Sequence, residues 1–337
     1  MLDVATTRKV LAVVLATAML AVVIFAGLVG WKNRGQGLFP ARRRLWVPWE
    51  LGDILIAWVA INAGPLVFFA ILTYTGFFRW WYGEDLTTEN NPTKGNLFLL
   101  QRCSLWAMCF AMPFSLSVVL GWLRMRGIGL WQLGLTKWRL GNNLASGCLA
   151  AIVLTPTVLA VNYFMNMFYL SILQTEPGKH AYMELANQVG SLELVWLVLG
   201  AVVSAPLLEE LFFRGLLLPW MAERWWSPAL AWSVSLLVAG FTGKGWHPVI
   251  FAAVAGLPML AGLVRKKTEY SPIFAIYGSS LLFAVAHSHV WPSPVPLLLL
   301  GCGLGYLRDR TRSLVAPVVL HSLFNAVSTW LMLTSFG

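Results

Sequence analysis

Charge is scarce in this chain. Only 11% of its 337 residues are Asp, Glu, Lys or Arg, while 58% are hydrophobic, and the mean hydropathy is +0.70. A water-soluble domain of this length leaves a large shell facing solvent and cannot hide so much apolar surface. Alternating ten-residue segments are lacking too, which excludes a membrane β-barrel. No low-complexity tract and no polar stretch long enough for a soluble domain interrupts the chain. The four cysteines (Cys103, Cys109, Cys148 and Cys302) lie in apolar runs without CxxC spacing, which speaks for reduced, structural thiols. HExxH is missing, so any metal site would have to be assembled from distant segments.

What the chain has instead is a series of apolar runs, most of them near the 17–25 residues that a spanning helix needs. They fall at roughly 10–30, 51–78, 97–122, 141–172, 193–219, 227–242, 248–264, 272–289, 294–307 and 314–336. The runs at 227–242 and 294–307 are short for about 30 Å of hydrocarbon, and either could be re-entrant or buried in the bundle. The run at 10–30 follows Arg8 and Lys9 but is long for a signal-peptide core and lacks an A-x-A site, so it reads as a retained span. The fold expected is all-α: a polytopic transmembrane helical bundle of about 8–10 spans.

A net charge of +10 would suit a nucleic-acid partner, but its distribution does not. Sixteen of the 24 Lys and Arg fall in residues 31–50, 123–140, 219–227, 265–272 and 308–313. Short basic clusters between spans are the product of the positive-inside rule and mark these segments as cytoplasmic. The segments 79–96 and 174–191 are mixed or acidic and read as external, with both termini outside. Tryptophans at span ends, such as Trp80, Trp81, Trp225 and Trp226, fit interfacial belts. The partners expected are therefore membrane lipids and no nucleic acid, in an inner or plasma membrane. The segment GIGLWQLGLTKWRLG (127–141) mixes Trp, Leu and basic residues and reads as a short element lying in the cytoplasmic interface.

Against this apolar background, APLLEELFFRGLL (205–217) places three charges in one run. Glu210 and Arg214 are four apart, with the glutamate N-terminal, the better order for an ion pair on a helix. Glu209 is turned about 100° from Glu210 and about 140° from Arg214. One glutamate is thus neutralised by the arginine while the other faces elsewhere. A charge at a helix centre costs roughly 2.5–3.5 kcal/mol to insert, and an intramembrane ionisable residue is by default a functional-site hypothesis. The bland reading of Glu210 and Arg214 is a buried ion pair that sets helix register.

Two later runs add polar groups. LLFAVAHSH brings His287 to the end of one apolar helix, and APVVLHSLFNAVS puts His321 and Asn325 four apart on one face of another. A lone histidine on an apolar helix is more often a satisfied core residue. Together, a carboxylate, two imidazoles and an amide are the groups needed to activate water and stabilise an oxyanion. Glu209, His287 and His321 are equally the ligands of a His/His/Glu site for a divalent metal such as zinc, with an open fourth position. His289 diverges from His287 by about 200° if both lie on a helix, so it reads as peripheral.

EELFFR (209–214), FAVAH (283–287) and HSLFN (321–325) resemble the EExxxR, FxxxH and HxxxN/B motifs of the CPBP family, the Abi or type II CAAX prenyl endopeptidase-like intramembrane proteases. The resemblance covers roughly residues 190–330. It implies an organisation of N-terminal transmembrane helices over 1–190 and a catalytic, CAAX-protease-like core over 191–336. About seventy residues separate the first two motifs, and the excess near 227–267 looks like an inserted two-span hairpin. The resemblance implies that Glu209 activates the attacking water and that His287 holds or polarises it. His321 and Asn325 would stabilise the oxyanion, and Arg214 would fix the glutamate pair, chiefly through Glu210. The family is often described as metalloendopeptidases, and a metal-free glutamate mechanism has also been argued for it; the sequence leaves both open. The activity implied is endoproteolysis at or near the membrane surface, on CAAX-type or other membrane-associated peptides. Two other readings remain at this point: a catalytically silent binding or immunity protein, and a proton-coupled transporter. No internal repeat or matched pair of broken helices supports the transporter.

Overall fold

The computed structural model describes residues 47–83, 94–178, 189–264 and 272–334, and among them every regular element is a helix. Their order is α1 (Leu51–Tyr74), α2 (Phe77–Tyr82), α3 (Lys94–Met125), α4 (Leu140–Ser171), α5 (Ser191–Glu223), α6 (Ser227–Thr242), α7 (His247–Gly256), α8 (Pro258–Val264), α9 (Pro272–Ala286), α10 (Pro294–Thr311) and α11 (Val315–Thr334). Four of these, α1, α4, α5 and α11, are long and apolar enough to cross a membrane. The all-α, polytopic membrane bundle expected from the apolar runs is what forms. The expected first span at 10–30 lies outside the described residues.

Helix limits differ from the apolar runs where backbone chemistry intervenes. The run 51–78 is interrupted after Tyr74, because Gly76 takes a left-handed conformation (φ 72°) and the chain restarts as α2. Glycine enters that region without a Cβ penalty. The run 248–264 divides before Pro258, whose missing N–H cannot continue the ladder of α7. The run 272–289 stops at Ala286, and the backbone turns over at His287. The segment 127–139 is built of turns, with Ile128 and Leu133 buried.

The chain forms two compact units. One contains Pro48–Leu133, Lys179–Phe212 and Asn325–Gly337. In it α1 packs along α3: the Asp53 carboxylate accepts from Trp122 Nε1 at 2.8 Å and from its own helix N-terminus at the Glu50 N–H, 2.9 Å. A second buried carboxylate, Glu193 in the first turn of α5, accepts from Tyr82 Oη (2.6 Å), Arg102 Nε (2.8 Å) and the Gly190 N–H (2.9 Å). Trp106 Nε1 donates in turn to Tyr82 Oη at 2.8 Å. Buried charge is tolerated only when paired and hydrogen-bonded in this way. The network ties α2, α3 and the start of α5 together above a core of Phe78, Cys103 and Trp106.

The other unit contains Gly134–Gly178 and Phe213–Phe324. Its core joins Ala151 and Val158 of α4, Leu300 and Leu304 of α10, and Leu320 and Phe324 of α11. Gly147 makes the α4–α11 approach this close, since a Cβ there would sit 2.7 Å from the Ala316 carbonyl and from Val319 Cβ. The hairpin α6–α8 packs on α9 through Ala239, Ala252, Leu281 and Val285. The segment expected as an insert thus lies against the helix that leads to His287. The division between the units falls within α5, after Phe212, and within α11, after Phe324.

Candidate active site

Helix α5 is not a uniform α-helix. It opens as α over Ser191–Leu199, widens to π over Gly200–Ser204, returns to α over Ala205–Glu210, and is π again over Leu211–Leu217. π turns bond i to i+5, are rare, and occur frequently at functional sites. Both flank the glutamates. Glu209 is half-buried and Glu210 is completely buried, so the two neighbouring carboxylates do meet different surroundings. Arg214, inside the second π segment, is also completely buried.

Phe283, the first residue of the FAVAH motif, has several candidate residues around it. Its buried ring meets Phe213 edge-on at 5.3 Å, His287 at 5.0 Å and His321 edge-on at 5.6 Å between ring centroids. The Arg214 guanidinium carbon stands over the same ring, 4.5 Å from its centroid. A cation over a desolvated aromatic face is held by the ring quadrupole. Arg214, His287 and His321, from α5, the end of α9 and α11, are therefore gathered on one phenylalanine. Arg214 also donates from Nη2 to the Gly301 carbonyl of α10 at 3.2 Å.

His287 is oriented by the end of its own helix. Nδ1 lies 2.9 Å from the Phe283 carbonyl, an atom that can only accept, so Nδ1 carries the proton. Nε2 is then left for chemistry at the ring's other edge. The turn that follows is held by the hairpin, through the Thr242 and Ser288 hydroxyls, with Ser288 buried. Because α9 ends before His287, the helical divergence expected of His289 does not apply. The two imidazoles lie 6.4 Å apart and within 24° of parallel, with His289 exposed.

In the other unit, Asn325 of α11 donates from Nδ2 to the Ala201 carbonyl at 2.8 Å. Ala201 belongs to the first π segment of α5, two turns before Glu209. An amide nitrogen has two N–H groups, so this bond uses half of Asn325's donor capacity. The six residues singled out in the sequence divide evenly: Glu209, Glu210 and Asn325 in one unit, Arg214, His287 and His321 in the other. Among the described residues no group of three or more His, Cys, Asp or Glu is drawn together to hold a metal ion. Of the expected Glu209, His287 and His321 ligand set, Glu209 belongs to one unit and the two histidines to the other.

Three participants had no assigned role from sequence. Phe283 was visible as a motif letter and nothing more. Gly301 lies in the apolar run at 294–307, where nothing in the sequence marks it. Arg308 looked like one more basic residue of the RDRTR cluster, yet it is 3% exposed and donates from Nε to the Arg214 carbonyl at 3.1 Å.

Residues 191–272 and 258–327 match the family model described as Type II CAAX prenyl endopeptidase Rce1-like. The matched stretch runs from α5 into α11 and contains all six candidate residues as well as Phe283, Gly301 and Arg308. Neither a curated protein nor a solved structure matches the chain. Over residues 191–327, from α5 into α11, the chain is thus similar to the Rce1-like, type II CAAX prenyl endopeptidase family.

Proposed function

We propose that the chain is an intramembrane endopeptidase that hydrolyses a peptide bond at or near the membrane surface. The observation that carries this reading is the gathering of Arg214, His287 and His321 on the buried Phe283 ring, within the stretch that matches this family's model. A structural role alone would not call for two imidazoles and a guanidinium at one apolar core position, where buried polar groups are costly.

In the proposed reaction the Glu209 carboxylate takes a proton from a water molecule whose oxygen attacks the scissile carbonyl carbon. The carbonyl π bond opens to an oxyanion, for which His321 and the second N–H of Asn325 are the donors. Glu209 then returns the proton to the leaving nitrogen, the C–N bond breaks, and a new carboxylate and amine result. His287, with Nδ1 tied to its own helix, offers Nε2 to the attacking water. Arg214 fixes the helix segment that carries the glutamate pair and offsets its charge. Substrates of this reading are membrane-associated peptides, among them prenylated CAAX-type C-termini. The basic clusters between spans support a substrate on the cytoplasmic side.

The test is cleavage of a quenched fluorescent farnesyl-CAAX peptide by purified protein, wild type against Glu209→Ala. The reading expects cleavage by the wild type and its loss in a variant of unchanged thermal stability. Retained cleavage in Glu209→Ala would overturn the glutamate mechanism.

A further inference from the structure

Helix α10 carries none of the three motifs, yet it takes hold of Arg214 at both the side chain and the main chain. At Gly301 its carbonyl accepts from Arg214 Nη2 (3.2 Å); two turns later Arg308 Nε donates to the Arg214 carbonyl (3.1 Å). Both contacts, and both arginines, lie in the same unit and are buried.

The ordinary explanation of Arg308 is that a cation in the last turn of a helix complements its dipole, in a loop basic for topological reasons. That explanation expects the side chain to point to water. Instead, it is sealed in. Gly134 lies against the guanidinium so closely that a Cβ would stand 2.8 Å from Arg308 Cζ, and its φ of 88° favours glycine independently. The Gly134 carbonyl accepts from the Leu314 N–H at 2.9 Å, which holds that glycine at the start of α11. Close packing also brings Gly301 within reach: a Cβ there would meet Ser280 Cβ at 2.9 Å, so only glycine lets α10 lie this near α9.

The acceptor matters as much as the donor. The Arg214 carbonyl belongs to the π segment Leu211–Leu217, where the change from i+4 to i+5 bonding disturbs the regular pairing of carbonyls. A charged donor placed on such a carbonyl stabilises the wide turn over the α-helical alternative. We propose that Arg308 is a positioning residue: it holds the π turn after the Glu209–Glu210 pair in the register that sets Arg214 on Phe283, with Gly134 and Gly301 giving it room. It acts through Arg214 and touches no substrate. The catalytic part of this inference rests on the endopeptidase reading; the π-turn part does not.

Two readouts test it on the full-length protein in detergent. The first is hydrogen–deuterium exchange of the peptide segment spanning 209–218 in wild type, Arg308→Met, Arg308→Lys and, as a control, Arg310→Met, whose described bond runs to Tyr306. The expected result is exchange at least fivefold faster in Arg308→Met, intermediate in Arg308→Lys and unchanged in Arg310→Met. The second is steady-state cleavage of the farnesyl-CAAX peptide, with kcat expected to fall about tenfold or more in Arg308→Met at a KM within twofold, and partly recovered in Arg308→Lys. If Arg308→Met does not yield folded protein, Arg308→Lys carries both readouts alone. Unchanged exchange over 209–218 in the folded Arg308 variant overturns the proposal. Faster exchange with full activity, or a loss that appears only in KM, overturns its catalytic part. If the wild type does not cleave this peptide, the CAAX-type substrate fails, while the exchange result still decides whether Arg308 holds the π turn.

Discussion

Replacing Phe283 with leucine leaves an apolar side chain in the last turn of α9 but removes the ring face that Arg214, His287 and His321 share. Phe283 is completely buried, so its neighbours cannot turn to water for compensation. The guanidinium 4.5 Å from the ring centroid is the largest single loss, about 2 kcal/mol for a desolvated cation–π contact. The edge contacts with Phe213, His287 and His321 add about 0.5–1.5 kcal/mol per aromatic pair. Helix packing in a membrane depends on such contacts because apolar burial provides little drive there. If only the cation–π part falls on the geometry of the reacting groups, kcat drops about thirtyfold, at about 1.4 kcal/mol per factor of ten. The assay is peptide cleavage with thermal unfolding measured on the same preparation. The reasoning predicts a Phe283→Leu protein that folds, unfolds at a lower temperature and loses kcat far more than KM. Wild-type kcat in a folded Phe283→Leu protein would refute the role given to the ring, and Phe283→Tyr should keep most of the activity if its hydroxyl finds room.

Other consequences follow from single contacts. Asn325→Ala removes the donor to the Ala201 carbonyl and one oxyanion donor together; stability should fall by about 1 kcal/mol and kcat by about a hundredfold, read by unfolding and cleavage respectively. Gly147→Ala should destabilise the protein by about 1–3 kcal/mol, since the new methyl meets the Ala316 backbone and only a shift of α4 or α11 relieves it. Tyr82→Phe leaves Glu193 and Trp106 each short of a partner and should cost about 1–3 kcal/mol in a urea or thermal melt. Burial, and then the hydrogen bond to Glu193, raise the Tyr82 phenol above its usual 10.0. A raised folded-state value means that the neutral phenol's contribution is complete below pH 10.0 and is lost progressively as pH rises from there through the higher value. Wild type should therefore lose stability steeply above pH 10 relative to Tyr82→Phe, which alkaline melts of the two proteins would show.

The helical architecture was legible because hydrocarbon thickness imposes a run length that composition reveals directly. The breaks inside runs were less so. Gly76 and Pro258 interrupt α1 from α2 and α7 from α8, yet both sit in stretches apolar enough to pass as continuous spans. The early end of α9 at Ala286 had the largest consequence, because it brings His289 beside His287 where helical rotation would have sent it away. The candidate residues themselves were visible through charge and imidazole in an apolar setting, which is rare enough to be noticed. Their supports were not. Phe283, Gly301 and Ser288 are ordinary core residues by type, and Arg308 sits in a basic cluster whose net positive charge already had an explanation. Of the three arginines in RDRTR, the one that turns inward packs on Gly134, a residue about 170 positions earlier in the chain. Nor does a sequence announce π turns: EELFFRGLL reads as α throughout, and the widening at Leu211 appears only when the helix is built.

The most direct measurement is hydrolysis of a farnesylated CAAX peptide in heavy-oxygen water by wild type and Glu209→Ala reconstituted in liposomes, with the products weighed by mass spectrometry. A glutamate-activated water predicts one heavy oxygen in the newly formed carboxylate with wild type and no cleavage with the variant. Cleavage of equal rate in both proteins would contradict the account.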